Sequence, residues 1–105
     1  MESQDVSAWA DFYAEDAEWL EYKHNYPPRS PRRLSGRAEI KAFLSRVATS
    51  GVELRVSDEV VGPDRAAFCL WCTLGDDRRI IEHIIIHFHD AQITRQVDVE
   101  SWDQE

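Results

Sequence analysis

The chain has 105 residues, the size of one domain with one core, and residues 1–105 read as a single domain. Its 20 acidic against 12 basic residues give a formal net charge of -8, which would repel a phosphate backbone and argues against nucleic acid as a partner. The first five residues are too polar for a signal peptide and no apolar run is long enough to cross a bilayer, so no membrane association and a cytoplasmic location are expected.

Residues 6–13 place Val6, Trp9, Phe12 and Tyr13 at helical spacing, with Ser3 or Asp5 available as a cap, and predict a short amphipathic helix. Residues 17–23 alternate as a strand does, with Trp19 and Glu21 on one face and Leu20 and Tyr22 on the other. Residues 24–33 hold Pro27, Pro28 and Pro31 among Arg29, Arg32 and Arg33 and predict a solvated loop. Ile40, Phe43, Leu44 and Val47 then form the i, i+3, i+4, i+7 stripe of a helix over 37–49, laid on a sheet and ended by Ser50-Gly51. Four strands follow, over 52–61, 65–74, 79–89 and 92–102, and their short connections imply consecutive antiparallel neighbours.

Cys69-Leu70-Trp71-Cys72 has the CxxC spacing but falls in a strand, where residues three apart point to opposite faces. Both are therefore expected to be reduced structural cysteines. Trp9 and Trp71 are expected in the core or at an interface.

If Asp90-Ala91 is a two-residue turn, regular pairing sets His89 opposite Gln92, His87 opposite Thr94, Ile85 opposite Gln96 and His83 opposite Asp98. Directly opposed Cβ atoms lie about 4.5 to 5.5 Å apart, so an imidazole and a carboxylate could share a hydrogen bond there. In such a pair the carboxylate fixes the tautomer and the free ring nitrogen moves a proton near neutral pH. Two arrangements satisfy this pattern. Either the more apolar opposite face, with Ile84, Ile86, Val97 and Val99, is buried and the His/Asp face is solvated, or the His/Asp face lines a cavity and the apolar face is a subunit interface. His87-Phe88-His89 also has the spacing for a divalent metal, against which stands a solvated His89; no metal is assigned.

Three segments, Phe12 through Trp19, Leu34-Ser35-Gly36-Arg37-Ala38-Glu39-Ile40 with Phe43-Leu44, and Phe88-His89-Asp90-Ala91-Gln92-Ile93, resemble the SnoaL-like branch of the nuclear transport factor 2-like superfamily. The resemblance spans nearly the whole chain and implies an α+β fold in which a curved antiparallel sheet forms a cone with helices packed over it. It implies a shortened N-terminal helix, an apolar pocket and a homodimer formed through the apolar sheet face. It also turns Asp98, and with it His83, inward, because catalytic aspartates of limonene-epoxide hydrolases and SnoaL-type cyclases follow the same turn. Glu21 takes the place of the ketosteroid isomerase base on the first strand. The isomerase tyrosine has no counterpart, its second carboxylate falls at Ile85, and the Arg-x-Asp of the epoxide hydrolases is reduced to Arg65-Ala66-Ala67. The expected function is thus acid/base isomerisation, cyclisation or dehydration of a hydrophobic small molecule without a cofactor. His83, Asp98 and Glu21 would act, and Trp19, Ile85, His87 and Gln96 would line the pocket. The alternative is a non-catalytic ligand-binding or dimerisation module.

Overall fold

The structure, a computed structural model, describes residues 6–103. Ser3 and Asp5, the expected helix caps, lie outside the described residues. The elements in chain order are α1 (Val6–Asp11), β1 (Tyr13–Tyr22), β2 (Arg32–Ser35), α2 (Arg37–Ala48), β3 (Glu53–Val61), β4 (Arg65–Thr73), β5 (Arg79–His89) and β6 (Gln92–Trp102). The six strands make one curved, unclosed sheet in the order β2-β1-β6-β5-β4-β3. Strands β3 to β6 pair with their chain neighbours in antiparallel fashion, as their tight turns require. β1 runs parallel to β6, so the first and last strands meet at the middle of the sheet.

Three elements differ from the sequence reading: α1 ends at Asp11 rather than at residue 13, leaving Phe12 exposed, and β1 and β2 take other bounds. β1 begins at Tyr13 rather than Ala17, because α1 stops at Asp11 and the Phe12 carbonyl accepts a 2.6 Å hydrogen bond from the Ile93 N–H of β6. The proline loop ends at Pro31, after which nothing lacks an N–H, and Arg32 opens the short strand β2 against β1. Charge complementarity holds that edge: Arg32 pairs with Glu21, and Arg33 Nη1 lies 2.8 Å from Glu18 Oε1.

Helix α2 starts where Gly36 adopts φ +89°, a conformation that L side chains resist, and a Cβ there would meet the Glu15 carbonyl at 3.4 Å. Ser35 donates its backbone N–H to Glu39 Oε1, and Arg37 Nε donates to the Tyr13 carbonyl, so the helix is tied to β1 at its first turn. Ile40 and Leu44 are buried and pack with Tyr13, Ala17 and Trp19 into the core, with Trp9, Leu34, Phe43 and Ile93 around them. The Tyr13 and Trp19 rings stack with centroids 6.1 Å apart, and Phe43 meets Trp19 edge-on at 5.2 Å.

The turn at Asp90-Ala91 is the expected two-residue connection, and both residues have positive φ, 52° and 65°. Such turns match the twist of the flanking strands but suit Gly or Asn far better than Ala at the second position. Replacing Ala91 with Gly should therefore raise unfolding free energy by about 1 kcal/mol, seen as a higher denaturant midpoint at an unchanged m-value.

Candidate acid/base pocket

Regular pairing from the turn lasts for only two residue pairs, His89 with Gln92 and Phe88 with Ile93. A bulge follows. Thr94 is the extra residue: its hydroxyl donates to the His87 carbonyl at 3.3 Å, and His87 pairs with Arg95 instead. From there every partner is displaced by one, so Asp98 faces Ile84 and His83 faces Val99. A shift of one residue moves a side chain to the other face, and the bulge thereby parts His83 from Asp98. The expected His83/Asp98 pair does not form.

The concave face and the helices enclose a cavity of about 520 Å³. Its apolar wall includes Trp19, Phe43, Phe68, Leu70, Ile84 and Ile86. Its polar groups are concentrated where β1, β6 and β5 lie side by side: Glu21, Asp98, Glu100 and Glu82. Asp98 is 1% exposed and Glu21 5%. Trp19 Nε1 donates to Asp98 Oδ2 at 3.0 Å, and Gln96 Nε2 donates to Oδ1 at 3.1 Å. Tyr13 donates its hydroxyl to Gln96 Oε1 at 2.6 Å, which fixes the amide orientation and, through it, the carboxyl of Asp98.

One carboxylate oxygen from each of Glu82, Asp98 and Glu100 lies within 4.8 Å of the other two. Like charges this close and this buried cannot all be ionised. Burial, reinforced by the neighbouring Glu82, holds Asp98 well above the usual carboxylate range, and a hydrogen bond links the two carboxyl groups. Glu82 is itself raised by burial, offset in part by hydrogen bonds from Cys72 and Asp98. Burial and a hydrogen bond to Glu21 push Glu100 up to about 8. The same apolar setting, with Glu82 beside it, pushes the Cys72 thiol up to about 12, far from a nucleophile at neutral pH. The pattern is two acids of raised proton affinity, Asp98 and Glu100, each beside a second carboxyl group.

Residues 1–96 match the SnoaL-like domain family. The chain belongs to that family. A protein from Kribbella flavida, provisionally assigned as a ketosteroid isomerase, superposes with a TM-score of 0.75 at 23% identity, covering 95% of this chain and 67% of that one. A nuclear transport factor 2-like protein of unknown function from Mesorhizobium loti gives 0.80 at 19% identity over 92% of this chain and 78% of its own. A provisionally assigned polyketide cyclase from Sinorhizobium meliloti gives 0.68 at 15% identity over 90% and 81%. At these identities the likeness establishes the fold, the α+β cone of the superfamily. No curated protein sequence matches the chain.

Within this SnoaL-like cone the register brings Asp98, Glu21, Trp19 and Gln96 to the cavity wall. It leaves His83, Ile85 and His87 on the outer face, opposite Val99, Val97 and Arg95, and His83 and Ile85 are exposed there. These three are corrections to the sequence reading, and all have the bulge at Thr94 as their cause. His89 is exposed beside the turn, and among the described residues the three ligand-bearing side chains grouped closely enough for one ion are Glu82, Asp98 and Glu100, with no histidine among them. Cys69 and Cys72 are free, and Cys72 faces the cavity. No described helix is long and apolar enough to cross a membrane. The sequence reading passed over Glu82, Glu100 and Tyr13. A usable signal existed for Glu82, a lone carboxylate in the row Ile80, Ile84, Ile86, where an unpaired charge would not be buried.

The raised acids set the sign of the pH dependence. Glu100 has a model-compound value of 4.5 and a folded value of about 8, so between these the native state binds more protons than the unfolded state and stability falls as pH rises. Asp98 adds to the same trend from its own raised position. Urea midpoints should accordingly be lower at pH 8 than at pH 5, and Glu100→Gln should flatten part of that slope.

Proposed function

We propose that this SnoaL-like protein is an acid/base enzyme of the isomerase, cyclase or dehydratase type that acts, without a cofactor, on a hydrophobic small molecule held in the cone. The observation that carries this reading is the buried Asp98–Glu82 pair, two adjoining carboxyl groups of raised proton affinity at the wall of an apolar cavity. Its volume lies within the range of sites for small organic ligands, about 300 to 1,000 Å³. Glu82 would take a proton from a carbon next to a carbonyl. Asp98, oriented by Trp19 and Gln96, would donate its hydrogen bond to the oxygen on which charge develops. Returning the proton from Glu82 to a different carbon completes an isomerisation and restores both groups. Glu21, held by Arg32, supports the array by accepting from Glu100.

The test uses a β,γ-unsaturated 3-ketosteroid, a class suggested by the Kribbella flavida neighbour, with conjugation followed by ultraviolet absorbance and proton exchange at the α-carbon followed in deuterated water. Asp98→Asn and Glu82→Gln should each lower turnover by about 10²- to 10⁴-fold with the fold intact, whereas His83→Ala should leave it unchanged. Binding of the steroid with neither turnover nor exchange would favour the non-catalytic ligand-binding module.

We further propose that a second copy of the chain covers the outer face of the sheet. That face carries one lateral row through Leu20, Val97, Ile85, Ala67 and Val60, contributed by five adjacent strands. Ile85, Val60 and Val99 are 45%, 68% and 52% exposed, an apolar surface that water disfavours. A self-complementary face of this kind suits a two-fold dimer. Light scattering after gel filtration should give twice the chain mass for the wild type and the single mass for Ile85→Lys; a monomeric wild type would reject the dimer.

A further inference from the structure

Four carboxylates line the cavity together with Lys23, Arg32 and Arg46, and among the described residues Arg32 alone of these cations forms an ion pair with one of them. Arg32 pairs with Glu21, whereas none of Glu82, Asp98 and Glu100 has an ion-pair partner among the described residues. The cation nearest to supplying one is Lys23, just beyond the end of β1. It acts on Glu82 at longer range, while its Nζ lies over aromatic faces, 4.2 Å from the ring centroid of Trp102 and 5.4 Å from that of Tyr26. Trp102 turns its indole N–H to Glu100 Oε1 at 2.9 Å, so the ring that carries an ammonium on its face also orients a carboxylate at its edge. Independently of these acids, the cavity of about 520 Å³ with its Trp, Phe, Leu and Ile walls is sized and surfaced for an organic body.

We infer that the pocket takes a ligand in which a protonated amine is joined to an apolar body, with Glu100 receiving the ammonium and the aromatic and aliphatic walls receiving the rest. This rests on the cavity being the ligand site, as proposed above, and adds the class of compound it selects. Glu100 is the anchor because it lies directly opposite Glu82 across β5 and β6 and is only partly buried. A bare divalent ion would use the same three carboxylates but would leave the apolar volume empty, which is why the organic cation is favoured.

The exchange balances. Neutral Glu100 gives its proton to solvent, and the ammonium of the ligand takes its place against the carboxylate. The groups around Glu100 are Glu82 from β5, Glu21 and Lys23 from β1 and the residue that follows it, Asp98 on its own strand, Cys72 from β4, Arg32 from β2 and, exposed at the cavity edge, Arg46 from α2. Arg32 is engaged by Glu21, and Asp98 keeps its own proton, so Glu100 is the acid free to make the exchange.

Titration calorimetry with 1-adamantanamine and its neutral isostere 1-adamantanol, in two buffers of different ionisation enthalpy, tests this directly. The amine should bind at least about tenfold more tightly than the alcohol at pH 8, release close to one proton at pH 7, and strengthen from pH 6 to 8 by up to about tenfold per unit. The alcohol should show no such slope. Glu100→Gln, checked for folding by circular dichroism, should remove the preference and the proton release while alcohol binding persists. Equal binding of both probes, or an amine preference unchanged in Glu100→Gln, overturns the inference. Alcohol binding without amine binding defeats the amine inference and leaves the pocket reading standing; failure of both probes to bind defeats the two together.

Discussion

The extra residue Thr94 in β6 sets which side chains of the last two strands share a face of the sheet. Without the bulge at Thr94 the last hairpin would pair His83 with Asp98, and the carboxylates of β6 would share a face with the histidines of β5. With it, Gln96, Asp98, Glu100 and Trp102 turn to the concave side, beside Ile80, Glu82 and Ile84. A bulge also bends and twists its strand, so the same residue that sets the register helps the sheet to curve around a cavity. A second irregularity, in β3 between Ser57 and Val60 where Asp58 has φ 58°, bends the far side of the sheet in the same manner.

The cost of that arrangement is a buried acidic cluster, which a small domain tolerates only if the charges are reduced or matched. Both devices are used. Burial raises the proton affinity of Asp98 and Glu100, which favours their neutral forms, and Arg32 neutralises Glu21 from the short strand β2. Polar donors complete the work: the Trp19 and Gln96 hydrogen bonds satisfy both oxygens of Asp98, and Tyr13 closes the chain behind Gln96. Tyr13 and Trp19 thus serve twice, as stacked members of the hydrophobic core and as the hydrogen-bonding frame of the acid. The core that holds the fold together is the same one that orients Asp98.

The convex face follows a simpler rule. Displacing the carboxylates to the inside leaves valines and isoleucines outside, interrupted by His83 and by Arg95 and His87 near the turn. The sequence reading sorted these residues into an apolar face and a His/Asp face; in the structure each face is a mixture of the two. Concave and convex surfaces are both largely apolar, and what separates them is where the acids went.

Much of the architecture was legible in the chain. The period of 3.6 over 37–49 and the alternation in the last four segments identified α2 and β3 to β6, and the two-residue turn at Asp90-Ala91 was read from its spacing. The motifs around Gly36 and the final turn led to the SnoaL-like family, which the family match establishes. Asp98, Glu21, Trp19 and Gln96 were named, yet their true companions Glu82, Glu100 and Tyr13 were not. The reason is physical. Secondary structure and hairpin position are set by local spacing and turn chemistry, which a sequence carries within a few residues. Register beyond a bulge is set by which side chains the assembled sheet can bury, and that depends on β1 arriving alongside β6 and on α2 closing over both. Only the tertiary structure could turn Asp98 away from His83 and toward Glu82.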